Sequence, residues 1–198
     1  MARSPTLETL VLVGVVFLLQ RAATLVGLAV PLFVLTPAFP VAPWTVVTSV
    51  YAHAGLAHLL SNAVTLALVG VLVEQTTTRL RFHAFFVATG ALSGLAQVVL
   101  TSGGVLGASG AVFALIGYLL TANPVSLALF DRVRLTRRVQ VAIFAAFAVI
   151  VTLATGAPGA ALVAHFTGLS LGLAAGRARL LATDAGERSD RAIGERRL

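Results

Sequence analysis

The sequence predicts an all-α, polytopic membrane protein with six spans, and three observations carry that prediction. The 198 residues are 58% hydrophobic and 11% charged, with a mean hydropathy of +0.98, whereas soluble domains contain about 25% charged residues. The chain contains six apolar segments, most of them close to the length of a membrane helix. The basic residues, all of them arginine, are distributed unequally among the connections, as in multi-pass membrane proteins.

The spans follow from the length that a bilayer requires, about 20 apolar residues with a range of about 17–25. The first contains Gln20 and Arg21 near its middle, which is costly unless these side chains face protein or water. The long connection after it holds four prolines and is expected to lie at the membrane interface. The predicted spans cover about residues 7–30, 56–73, 82–100, 109–122, 139–155 and 160–175. Residues 1–176 then form one membrane domain, and 177–198 a charged cytoplasmic tail that is predicted to be disordered.

The fourth predicted span is too short to cross a bilayer fully. Its 14 residues, from Ser109 to Ala122, cover about 21 Å at 1.5 Å per residue, against a hydrocarbon core of about 30 Å. We therefore expect this helix to start below one membrane surface. Non-helical backbone at that depth requires protein or a water-filled cavity around it.

Arginine placement predicts the orientation. With the N-terminus in the cytoplasm, the inner segments hold 13 of the 14 arginines, and Arg21 is the exception. The outer connections, residues 31–55, 101–107 and 156–159, contain no charged residue. Cytoplasmic loops are the arginine-rich ones, so both termini are predicted to be cytoplasmic and Ser109 to lie toward the outer side.

Composition also excludes several classes of protein. The chain has no cysteine, so it forms neither disulfides nor thiolate metal sites. The net charge of +7 accompanies no basic face with interleaved aromatic residues, and we expect no nucleic-acid partner. The first apolar segment lacks a convincing small-residue cleavage site and is interpreted as a retained span, not a signal peptide.

Ser109 lies between Gly107 and Gly110 at the start of a helix. The first turn of a helix has unpaired N–H groups, so the serine hydroxyl would lie beside donors able to hold an oxyanion, as an acyl-transfer nucleophile requires. Small residues are also common where membrane helices pack closely. The four residues alone leave both interpretations open.

Other polar residues are predicted at the depth of Ser109. His58 and Asn62 are four residues apart and share a helix face, and His165 lies about five residues into the sixth predicted span. A neutral imidazole at position 165 can accept the serine proton, while His58 and Asn62 can donate to an oxyanion with the Ser109 N–H. Each side chain could alternatively make a single structural hydrogen bond, but their shared depth favours a common site.

The predicted site contains no carboxylate. Glu8, Glu74 and Asp131 are all assigned to the inner side of the membrane, which makes a Ser-His dyad more plausible than a Ser-His-Asp triad. Gly168 and Gly172, on the same span as His165, would permit close approach to the span that carries Ser109.

Three motifs resemble the rhomboid family of intramembrane serine proteases in its minimal six-span prokaryotic form. They are His53-x4-His58-x3-Asn62, Gly107-Ala108-Ser109-Gly110 and His165-x-x-Gly168-x-x-x-Gly172, and the resemblance extends from Trp44 to Gly172. It implies a nucleophile at Ser109, a base at His165 and an oxyanion hole that includes His58 and Asn62, with His53 nearby. It also implies no cofactor or metal, a prokaryotic plasma membrane, and transmembrane proteins as substrates, which would enter between spans two and five beneath the loop at 156–159.

The sequence departs from the family pattern at three positions. Trp44 is followed by Thr45 where the family often has arginine, although the indole can still anchor the loop. Phe113 replaces a frequent tyrosine; its ring can pack on His165, but a hydroxyl role is lost. Thr78 replaces a glycine that often follows the second span. These changes bear on loop stability and rate more than on the type of reaction.

Three functions other than a serine protease are considered for this sequence. A metal enzyme could use His53, His58 and His165, since three histidines can bind zinc with an open position. A catalytically silent protein of the same fold could bind membrane clients. A transporter is disfavoured because the sequence shows no inverted repeat with paired broken helices. The sequence assigns neither a particular substrate nor an oligomeric state.

Overall fold

The computed structural model describes residues 4–122 and 161–183, with residues 136, 138, 139, 142, 143 and 146 between them. The predicted fifth span, apart from a few isolated positions, lies outside the described residues, as do the turn at 156–159 and the tail from residue 184. The helices of the two long described ranges are α1 (Pro5–Leu25), α2 (Ala29–Phe33), α3 (Thr45–Tyr51), α4 (Leu56–Glu74), α5 (Arg79–Thr101), α6 (Ser109–Ala122) and α7 (Leu162–Arg177). Between these helices, the backbones of Leu35 and Val105 form an isolated antiparallel bridge.

Three of the described helices are long and apolar enough to cross a membrane. These are α1, α4 and α5, with 21, 19 and 23 residues. The shorter α6 has the 14 residues predicted from the sequence. An all-helical protein that passes the membrane more than once is thereby confirmed.

The first helix ends earlier than predicted. Ser4 caps its start by accepting a hydrogen bond from the Leu7 N–H, and Pro5 suits the first helical position. The helix ends at Leu25 instead of residue 30, because Gly27 adopts a φ of +74°, which does not continue a helix. Gln20 and Arg21 therefore lie about one turn before the end of the helix. The prediction that placed them near its middle was wrong.

The connection between α1 and α4 folds back on the protein. Leu35 is fully buried, and its backbone exchanges hydrogen bonds with Val105 at 3.0 and 2.8 Å. The Trp44 indole N–H donates to the Pro31 carbonyl at 3.0 Å. The predicted interfacial connection is thus tied to the loop that leads into α6.

Helix α6 occupies the centre of the described bundle. It contacts α4, α5 and α7, and Ala111, Ala114 and Leu115 are fully buried. A Cβ added at Gly168 or Gly172 of α7 would collide with the backbone of α6. Only glycine permits this approach, which brings the start of α6 close to the start of α7.

Candidate active site

The imidazole of His165 contacts the hydroxyl of Ser109. The His165 Nε2 and Ser109 Oγ atoms are 3.0 Å apart, which is hydrogen-bonding distance. Ser109 is the first residue of α6, and His165 lies in the first turn of α7. The two residues are 56 positions apart in the sequence and adjacent in the structure.

Phe113 fixes the plane of the His165 ring. The two rings are stacked, with centroids 4.5 Å apart and an interplanar angle of 16°. Phe113 lies one turn after Ser109 on α6, so one helix presents both the hydroxyl and the stacking ring. Among the described residues, the buried Nδ1 of His165 has no hydrogen-bond partner. Within the described residues, the stacking contact with Phe113, and not a hydrogen bond at Nδ1, orients the imidazole.

The loop before Ser109 brings His58 to the site. Gly107 has a φ of +133°, a conformation that favours glycine, and its N–H donates to the Ser49 carbonyl at 2.8 Å. A Cβ at this position would lie 2.8 Å from Cε1 of His58 and 3.9 Å from Oγ of Ser109. The His58 ring therefore packs directly on the Gly107 backbone, beside the serine.

Asn62 is buried one turn further along α4. Its Nδ2 donates to the carbonyl of His58 at 3.0 Å, within the same helix. The structure thus places this amide beside His58. Within the described residues, Asn62 makes no hydrogen bond to Ser109.

His53 supports the site from the α3–α4 connection. The side chain is fully buried, and its ring meets the His58 ring edge-on, with centroids 5.0 Å apart. Burial, with the neighbouring His58, lowers the pKa of His53 to about 4, because desolvation disfavours the charged form. The ring is accordingly neutral near pH 7 and packs as a buried support for His58, with its Nδ1 3.1 Å from the Tyr51 carbonyl oxygen.

Two glutamines anchor the site, and sequence reasoning assigned this role to neither of them. The Gln20 Oε1 of α1 accepts the backbone N–H of His53 at 2.9 Å. The Gln97 Oε1 of α5 accepts the N–H of Ala164, next to His165, at 3.1 Å. A lone amide inside an apolar span is costly unless it is paired. The presence of Gln20 and Gln97 in apolar segments was therefore the sequence signal that each has a hydrogen-bond partner.

The described residues contain no group of three or more His, Cys, Asp or Glu side chains that could hold a metal ion. His53, His58 and His165, which the metal hypothesis requires, are not arranged as such a group. The imidazole of His165 is directed at the Ser109 hydroxyl. The geometry favours the serine interpretation of these histidines.

Comparisons with known proteins bear on the same region. The family model described as "Rhomboid domain" matches residues 40–181, which contain every residue discussed for the site except Gln20. RHOMBOID-like protein 5 of Arabidopsis thaliana is 32% identical over 81 residues, and RHOMBOID-like protein 1 of the same plant is 32% identical over 79. Rhomboid protease GluP of Bacillus subtilis is 36% identical over 77 residues.

Each of these matches covers 39% of the present chain. The matched part is 26%, 20% and 15% of the respective relative. The chain thus spans about a quarter or less of the length of these curated relatives.

Proposed function

The chain belongs to the Rhomboid family, and from that premise we propose that it is an intramembrane serine endopeptidase with Ser109 as nucleophile and His165 as general base. The observation that carries the proposal is the 3.0 Å separation of Ser109 Oγ and His165 Nε2. A serine hydroxyl becomes an effective nucleophile when an adjacent base accepts its proton, and a neutral imidazole suits that task.

The reaction proceeds in two halves. Ser109 Oγ attacks the scissile carbonyl while His165 accepts the hydroxyl proton, and the imidazolium then protonates the leaving amine as the peptide bond breaks. Water then transfers a proton to the neutral imidazole as it attacks the acyl-enzyme, and the imidazolium returns a proton to Ser109 Oγ as the acyl–oxygen bond breaks and the carboxylic acid product leaves. The stacked ring of Phe113 keeps the imidazole in one plane through both halves.

The developing oxyanion is held at the start of α6. The Ser109 N–H belongs to the first turn of the helix, where backbone donors are unpaired, and His58 and Asn62 lie on the α4 side of the serine. Donors that are already positioned stabilise the transition state without reorganisation. Gly107 supports this arrangement by admitting the His58 ring close to the serine.

The substrates are transmembrane segments of other proteins, cleaved near their outer ends. The arginine distribution supports six spans with both termini in the cytoplasm and a site open to the outer side. The resemblance to the minimal six-span form of the family favours a prokaryotic plasma membrane. A helical peptide bond is shielded by its own turn, so the segment must unwind locally before Ser109 reaches its carbonyl.

Cleavage of a reporter transmembrane substrate in liposomes tests the proposal. Wild type is compared with Ser109→Ala, His165→Ala and the matched control Ser61→Ala, whose hydroxyl bonds to a carbonyl of its own helix. We expect cleavage by wild type and Ser61→Ala only, with or without a chelator. Cleavage that survives Ser109→Ala contradicts the serine mechanism, and chelator sensitivity supports the histidine-metal alternative.

If the chosen reporter is not cleaved, labelling with a fluorophosphonate probe tests directly whether Ser109 is an activated serine. Labelling of wild type and Ser61→Ala but not of Ser109→Ala shows an activated serine in an enzyme that requires a different substrate. Absence of labelling in all variants supports the alternative of a catalytically silent protein that binds membrane clients.

A further inference from the structure

A groove separates α1 from α5 near the ends at which both helices begin. Its volume is about 750 Å³, within the range of about 300–1,000 Å³ that is typical of ligand sites. Leu7, Val11 and Leu12 of α1 form its apolar wall, and Tyr51 at the end of α3 lines it as well. The groove lies at the opposite end of α5 from the loop that leads to Ser109.

The apolar wall of the groove is open to the surroundings of the protein. Leu7, Val11 and Leu12 are 60%, 57% and 44% exposed. Because α1 and α5 cross a membrane, this wall faces lipid acyl chains. The Tyr51 ring, which lines the groove, packs on Phe86 of α5 with centroids 6.0 Å apart.

A charged cluster lines the other end of the groove. Arg79 donates through Nε to Oε2 of Glu8 at 2.7 Å, and Nε2 of His83 lies 2.9 Å from the same oxygen. The Arg79 side chain is 58% exposed. Its terminal nitrogens have no hydrogen-bond partner in the part of the chain that the structure describes.

This geometry leaves the outer edge of a guanidinium available beside an apolar groove. Glu8 holds the Nε edge of Arg79, which orients the plane of the group and lowers the entropy cost of a further contact. The two terminal nitrogens match the oxygens of a phosphate, which arginine binds in bidentate fashion. Helices of 21 and 23 residues are about as long as the hydrocarbon core is thick, so the starts of α1 and α5, where Arg79 lies, are expected at the level of the lipid headgroups.

We propose that this groove binds one phospholipid from the leaflet at which α1 and α5 begin, with its phosphate on Arg79 and an acyl chain along the apolar wall. A phospholipid supplies a phosphodiester for the terminal nitrogens of Arg79, whose Nε is already paired with Glu8, and an apolar chain for the wall formed by α1. The site is separate from the proposed catalytic residues and does not depend on the proposed activity.

Lipid binding to the purified, delipidated full chain in detergent tests this proposal. Dioleoylphosphatidylglycerol is titrated against dioleoylglycerol, which has the same acyl chains and no phosphate, and bound lipid is counted by native mass spectrometry. We expect the phospholipid to bind wild type about tenfold or more tightly than the diacylglycerol, as a charge-assisted contact provides. Equal binding of the two lipids overturns the proposal.

Three variants locate the site. Arg79→Gln removes the phosphate contact, and Leu12→Trp fills the groove without touching the ion pair. The matched control is Arg81→Gln, because Arg81 lies two residues along α5 and donates to the Ala182 carbonyl, outside the lining of the groove. We expect about tenfold weaker phospholipid binding in the first two variants and wild-type binding in the control.

The pattern among the variants separates a specific site from general surface charge. Equal loss in Arg79→Gln and Arg81→Gln, or undiminished binding by Leu12→Trp, overturns the proposal. Melting temperatures without lipid show whether a variant is folded. Leu12→Trp keeps the test decisive if Arg79→Gln unfolds, because it leaves the contact with Glu8 intact.

Discussion

Gly168 of α7 lies directly against the backbone of Gly110 in α6, and the Gly110 carbonyl occupies the space that a side chain at position 168 would need. Ser109 precedes Gly110, and His165 lies about one turn before Gly168. The glycine contact therefore sets the separation of α6 and α7 at the level where Oγ of Ser109 meets Nε2 of His165.

Replacing Gly168 by alanine is expected to force α6 and α7 apart. Overpacking against side chains costs about 1–3 kcal/mol, and a clash with backbone relaxes less easily, so we expect at least that loss of stability. Cleavage of the reporter should fall at least tenfold, because a dyad lengthened by a fraction of an ångström transfers its proton poorly. Reporter cleavage and unfolding in mixed micelles measure the two effects.

The matched control for Gly168 is Gly14→Ala in α1, where an added Cβ has no neighbour within 4 Å. We expect this variant to keep full activity and wild-type or slightly higher stability, since alanine favours helix over glycine. Equal effects of the two substitutions would show that close packing at Gly168 does not set the dyad.

Gly107→Ala is expected to impair the site and to destabilise the rest of the bundle less than Gly168→Ala does. The substitution places a side chain at a φ of +133° and against the His58 ring, and strain of this kind costs about 1–3 kcal/mol. Because His58 must shift, we expect kcat to fall more than substrate affinity. The comparison is Gly103→Ala in the same loop, whose Cβ would make an ordinary 3.5 Å contact with Thr101.

The sequence predicted the bounds of α6 well because the signals for them are local. The boundaries of α6 followed from the glycines before Ser109 and the Asn123-Pro124 pair after it. The pairing of Ser109 with His165 followed from the order of the predicted spans, which puts both residues at a similar depth in the membrane. Stacking of Phe113 on His165 was also anticipated from the position of the ring one turn after the serine.

Other features depend on contacts that no local pattern encodes. The hydrogen bonds that Gln20 accepts from the His53 N–H and that Gln97 accepts from the Ala164 N–H join segments 33 and 67 residues apart. Spacing in the sequence indicates only that each amide needs a partner. The early end of α1 arises from the conformation of Gly27 within an apolar stretch, where hydropathy alone continues the span. The groove between α1 and α5 is a product of tertiary packing.

Gln20→Leu is expected to weaken the site although Gln20 contacts neither member of the dyad. The change leaves the His53 N–H buried without an acceptor, which costs about 1–3 kcal/mol, and releases the connection that supports His58. Gln20→Glu keeps an acceptor oxygen and should restore much of the lost activity. The adjacent Arg21→Gln, at an exposed position with its guanidinium 5.2 Å from the Phe17 ring, serves as control and should resemble wild type.

A pH dependence of stability is expected from His53. Its pKa is about 4 in the folded protein and about 6.5 when unfolded, so the unfolded state binds more protons between these values. The folded state therefore loses stability as the pH falls from about 6.5 to about 4, by up to about 3 kcal/mol over that window. Above pH 7 the histidine is neutral in both states, and its contribution no longer varies.

Unfolding in mixed micelles at pH 7 and pH 4.5, for wild type and His53→Asn, measures this contribution. Other groups titrate in both proteins, so the difference between the two pH-induced losses reports His53 together with its interaction with His58. We expect wild type to lose about 2 kcal/mol more than the variant, although the variant is less stable at pH 7 because it leaves a cavity beside His58. If the two proteins lose the same amount, the His53 ring is either solvated or already charged in the folded state, and it does not act as a neutral support for His58.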